Sequence, residues 1–109
     1  MDEQLLAFLS YLEREYQYSE NTIAAYRNDL GQFLEYEEHQ AASALTDWSA
    51  VGEDDIRAYL DFMKHKDQPY ASSTIARKVA AIKSFFNYLT SQGLIDHNPT
   101  VEIDSPKVK

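Results

Sequence analysis

Three small hydroxyls, Ser72-Ser73-Thr74, stand directly before Ile75-Ala76-Arg77-Lys78 in a sequence of 109 residues. Hydroxyls and free backbone N–H groups at a helix start, followed closely by two cations, are the chemistry that receives a phosphate. From Gln68 to Ile95 there is no Asp or Glu, while Arg77, Lys78 and Lys83 lie inside that window. The chain as a whole carries a formal net charge of −8. A capped, solvated helix face would use the same residue types. The clearing of carboxylates from one stretch of an acidic chain favours the polyanion reading.

At about 100° per residue, Ile75, Val79, Ile82, Phe86 and Leu89 share one narrow arc, the core face of this helix. Thr74, Arg77, Lys78 and Ala81 share another, and Lys83 points roughly opposite Thr74. With only Ala81 among them, Thr74, Arg77 and Lys78 are placed to approach a phosphate-lined groove. An earlier helix shows a second polar face of this kind, made of Asn21, Thr22, Ala25, Asn28 and Gln32. Asn and Gln pair bidentately with adenine in a major groove, and Thr meets a phosphate or a thymine methyl. Capping and ordinary surface account for that face equally well.

The elements that must carry these faces are all helical. Leu5, Phe8, Leu9, Leu12 and Tyr16 recur at helical spacing in a first helix from about Asp2 to Gln17. Ser19 is a suitable N-cap for a second, from about Glu20 to His39, with Ile23, Tyr26, Leu30, Phe33 and Leu34 on its apolar side. Residues 40–52 read as a loop that sends Leu45, Trp48 and Val51 into the core. A third helix from about Glu53 to Lys66 buries Ile56, Tyr59, Leu60 and Met63, and Glu53-Asp54-Asp55 suit the positive end of its dipole. The fourth begins at Ser72 or Ser73 and stops near Gln92, with Gly93 at C′. From Leu94 onward the sequence has two prolines, no helical period and the look of a linker.

The predicted fold is therefore all-α, a small bundle of four principal helices with an extended C-terminal linker. Residues 1–95 form one domain, and 96–109 lead away from it. The chain has no cysteine, hence no disulfide framework and no thiolate metal site, in keeping with a cytoplasmic location. No apolar run is long enough to span a membrane, and neither a span nor a signal peptide is expected. His39, His65 and His97 are scattered without ligand spacing, so neither a metal nor another cofactor is expected. Tyr16, Tyr26 and Tyr59 sit on apolar faces, where packing is the expected role.

The segments "YSENTIAAYRNDLGQFLEY", "WSAVGEDDIRAYL", "SSTIARKVAAIKSFFNYLTSQGLIDHNP" and "SPKVK" together resemble the N-terminal core-binding (SAM-like) domain of tyrosine recombinases of the Xer or phage-integrase kind. One departure is Gly52, which stands where that family often has Thr or Ser. The resemblance implies a helical half of a C-shaped clamp, with its second and fourth helices at the DNA major groove. It places Thr22, Ala25, Asn28, Ser73, Thr74, Arg77 and Lys78 at the DNA. It implies a double-stranded recombination site as ligand and other recombinase protomers, met in a synaptic tetramer, as partners. The arginine, lysine, histidine and tyrosine that perform the family's chemistry are expected beyond Lys109, in a catalytic domain. This fragment is then not itself an enzyme, and is expected to be monomeric in isolation. A helical protein–protein interaction module without DNA binding is the alternative.

Overall fold

A computed structural model describes residues 2–40 and 48–104. The helices are α1 (Asp2–Tyr16), α2 (Glu20–Gln40), α3 (Glu53–His65) and α4 (Ser72–Ser91), with a short 3-10 turn at Trp48–Ala50 before α3. No strand occurs among the described residues. α2 and α4 pack on each other as a central pair and both touch α1 and α3, whereas α1 and α3 do not meet.

Local chemistry sets the helix ends. Ser19 caps α2: its Oγ accepts the Thr22 N–H at 3.2 Å, and the Ile23 N–H reaches the Ser19 carbonyl at 3.0 Å. Gly52 has no side chain with which to cap α3, but the Asp55 carboxylate accepts its backbone N–H at 2.8 Å. α4 closes in a Schellman arrangement. Gly93 takes φ 72°, the Leu94 N–H bonds the Leu89 carbonyl at 2.9 Å, and the Gly93 N–H bonds that of Thr90 at 3.1 Å.

The predicted apolar arcs form the core. Ile75, Val79, Ile82, Phe86 and Leu89 of α4 are buried against Phe8, Leu30, Phe33, Ile56 and Met63. Trp48 is wedged in edge-on, its ring 4.7 Å from that of Phe85 and 5.8 Å from that of Phe86. Such pairs add roughly 0.5–1.5 kcal/mol each beyond their area. Val51 is buried as expected, and Leu45 lies outside the described residues. Tyr16 departs from expectation. It is 55% exposed at the end of α1 and stacks on Tyr18 rather than entering the core.

The packed body also runs beyond the boundary expected at residue 95. Residues 96–104 form turns, not helix or strand, yet Pro99, Thr100 and Ile103 are buried. Lys83 of α4 donates to the Ile103 carbonyl, Arg57 of α3 donates to that of Glu102 at 3.3 Å, and Asn98 donates to the Asn87 side chain at 2.7 Å. Lys83 is thus a strut rather than a solvated cation.

Candidate nucleic-acid interface

α2 and α4 pack directly against each other. Beside their contact is a concavity of about 390 Å³, lined by Asn21, Thr22, Ala25, Arg77, Ala80 and Ala81 among others. Its walls are short and neutral apart from the Tyr26 ring, one guanidinium and the carboxylate that holds it. The structure thereby brings Thr22 and Ala25 of α2 together with Arg77 of α4. Asn28 is exposed further along α2, with Nδ2 3.4 Å from an Asp29 oxygen. Ser72 and Ser73 are exposed at the start of α4 and Thr74 is half-buried. The N-cap of α4 is Ala71, and no side chain caps this end. The Thr22 hydroxyl accepts from Ser19 at 3.1 Å, which leaves its own proton to donate.

Arg77 is anchored from below. Asp29, whose side chain is only 2% exposed, receives Arg77 Nε on one oxygen and Nη2 on the other, each at 3.0 Å. The second oxygen also takes Lys78 Nζ at 2.8 Å. Burial alone would push the Asp29 carboxyl up. The hydrogen bonds from Arg77 and Lys78, with their charges, overcome that and hold it below the ordinary carboxylate value. Lys78 corrects the helical-wheel placement. Its side chain is 2% exposed, bonds Gln32 Oε1 as well as Asp29, and lies 5.2 Å from the centroid of the Tyr70 ring. Packing of α2 over that flank of α4 covers it, so its ammonium does not face the concavity. Asp29 is the residue that sequence reasoning missed. The available signal was a carboxylate inside the apolar stripe Tyr26, Leu30, Phe33 of α2.

A second hollow of about 340 Å³, between α1, α2 and α4, shares Tyr26 with the first, and its lining also includes Phe8, Tyr11, Tyr16, Tyr18 and Tyr88. Tyr16 and Tyr18 stack at 5.4 Å and Tyr18 and Tyr26 at 6.1 Å. Four phenols, Tyr11, Tyr26, Tyr36 and Tyr59, are shifted in the wrong direction for a nucleophile. A hydrogen bond with Tyr16 raises Tyr11, and burial raises Tyr26, Tyr36 and Tyr59. Among the described residues no cluster of His, Asp or Glu could hold a metal ion, and no helix is long and apolar enough to cross a membrane.

Residues 5–93 match the family described as phage integrase, N-terminal SAM-like domain. Curated relatives include the tyrosine recombinase XerC of Herpetosiphon aurantiacus, 51% identical over 99% of this chain and 34% of its own length. XerC of Roseiflexus castenholzii is 49% identical over 99% of the chain and 33% of that protein. XerD of Listeria monocytogenes is 34% identical over 98% and 35%. The chain thus spans about a third of the length of these relatives. No solved structure matches.

Proposed function

Since the chain belongs to the family of phage integrase N-terminal SAM-like domains, we propose that it is the DNA-binding part of a site-specific tyrosine recombinase, gripping the recombination site through α2 and α4. The observation that carries this reading is Arg77. A guanidinium braced by a buried carboxylate stands over a concavity lined mainly by short neutral side chains, in a chain of net charge −8. Thr22, Ala25 and Asn28 line or flank the approach from α2. Ser73 and Thr74 offer hydroxyls and the uncapped N–H groups of α4 to a phosphate. Lys78 supports from beneath, through Asp29. On this reading strand cleavage and rejoining are the work of a longer protein that contains this chain, which spans about a third of its tyrosine recombinase relatives, with other recombinase protomers bound on the same DNA.

Titrating the chain with a short duplex while following backbone amide signals tests this. Shifts should concentrate in the first halves of α2 and α4, with an affinity no tighter than ~10⁻⁴ to 10⁻⁶ M and a steep loss on adding salt. Arg77→Ala should weaken binding by about 1–3 kcal/mol if a base is read. Lys64→Ala removes the same charge from an exposed site on α3 and serves as the control. The tyrosine-lined hollow favours a second reading, a protein-contact module. Unresponsive α2 and α4, with Tyr16 and Tyr18 protected by a partner protein, would decide for it.

A further inference from the structure

A guanidinium presents two edges with paired N–H donors, and each can grip two acceptors at once. In Arg77 the side edge, Nε with Nη2, is taken by the two Asp29 oxygens. The end edge, Nη1 with the second Nη2 proton, meets no acceptor among the described residues, while the side chain remains 55% exposed. Asp29 is pinned by Lys78 at 2.8 Å, and Lys78 in turn by Gln32. A carboxylate held on that side cannot swing to follow a mobile arginine, so the free edge of Arg77 keeps one direction.

Resting on the reading above, we propose that Asp29 is a positioning residue for DNA recognition: it aims the end edge of Arg77 out of the α2–α4 concavity at a pair of acceptors on the duplex. Guanine O6 and N7, or two phosphate oxygens, present that pair. Charge alone predicts the opposite role. A carboxylate near a DNA-facing surface repels phosphate, so removing it should strengthen binding. Positioning predicts that removing it weakens binding, and the sign of the effect separates the two.

The experiment measures duplex affinity by fluorescence anisotropy for the wild-type chain, Lys78→Met, the double variant Asp29→Asn/Lys78→Met, and Arg77→Lys. The double variant keeps the wild-type net charge and leaves no lone buried charge. Lys78→Met retains the Asp29–Arg77 pair. Lys78→Met loosens Asp29 but leaves it paired with Arg77, so it should bind about threefold more weakly than wild type, whereas the double variant and Arg77→Lys should each be weaker by about tenfold. A double variant that binds as well as Lys78→Met overturns the inference, and so does Lys78→Met binding as poorly as the double variant. Two duplexes, one of mixed sequence and one of A·T pairs only, separate the acceptors. A guanine contact loses its Arg77 dependence on the A·T duplex, and a phosphate contact keeps it on both. In the wild type the Arg77 Nε–H resonance should stay protected when duplex is added. Its loss would mean that Arg77 leaves Asp29 to bind, which also overturns the inference, whatever the double variant's folding. No binding by the wild-type chain to either duplex overturns the functional reading and this inference with it. Wild-type binding lost in Arg77→Lys but kept in the double variant overturns the inference alone.

Discussion

Helix α2 buries two carboxylates, and they fare differently. Asp29 is fully buried where α2 meets α4, and two cations hold it ionised, below its ordinary range. Glu37 is 2% exposed further along the same helix, and its Oε1 has no hydrogen-bond partner among the described residues. Burial, aided by the charge of Asp55, pushes its carboxyl up to about 7. Equal burial thus goes with opposite shifts, and the neighbouring helix decides which. The first end of α2 lies against the stretch of sequence cleared of acids, and Glu37 feels the acidic first turn of α3. Segregated charge along the chain becomes, after folding, a helix with one braced acid and one unbraced.

The sharpest way to break this comparison is to remove each acid and read the sign. Asp29→Ala leaves Lys78 buried without its partner and should lower the unfolding free energy by about 3–5 kcal/mol. Urea titration monitored by the buried Trp48 measures it. Glu37→Gln should instead raise stability by about 1–3 kcal/mol at pH 8, because it removes a carboxylate that must ionise in a dry site. Loss of stability in Glu37→Gln would mean that this acid has a partner after all.

The two acids also differ in pH response. Glu37 titrates near 4.5 when unfolded and at about 7 when folded, so between these values the folded chain holds a proton that the unfolded chain has released. Stability should therefore fall as pH rises from about 4.5 to about 7, then level off. Asp29, shifted down, contributes stability above its ordinary 3.8 that is lost as pH falls below it. Thermal melts of wild type and Glu37→Gln across this range should converge near pH 4.5 and separate above it. The smallest expected effect is that of Asp55→Asn. It should lower the Glu37 midpoint by a fraction of a unit while costing α3 about 0.5–1 kcal/mol through its weaker N-terminal interactions. An unmoved midpoint would remove Asp55 as a cause.

Helical periodicity made the four helices and most of the core readable, because apolar residues at three- and four-residue spacing have one place to go. Ser19 and Gly93 were readable for a similar reason: a cap and a left-handed stop are local. The Asp29–Arg77–Lys78 cluster was not, since its members come from two helices far apart in sequence. A helical wheel orders the residues of α4 but does not say that α2 covers the flank carrying Lys78. The same limit applies to Lys83 and Ile103, where an aperiodic segment buries its side chains singly. Thr22, Ala25 and Arg77 lie on one concavity because their arcs happened to face the partner helix at its open edge.

The fastening of residues 96–104 has a mechanical side. A pull on the chain at Asp104 is resisted first by Ile103, seated in the core, and by two main-chain carbonyls held from different helices, Ile103 by Lys83 and Glu102 by Arg57. The load divides between α3 and α4 before it can reach Gly93. A single tether would peel open at its weakest bond. Here three attachments on two adjacent residues share the load, so force along this segment is passed to α3 and α4 together.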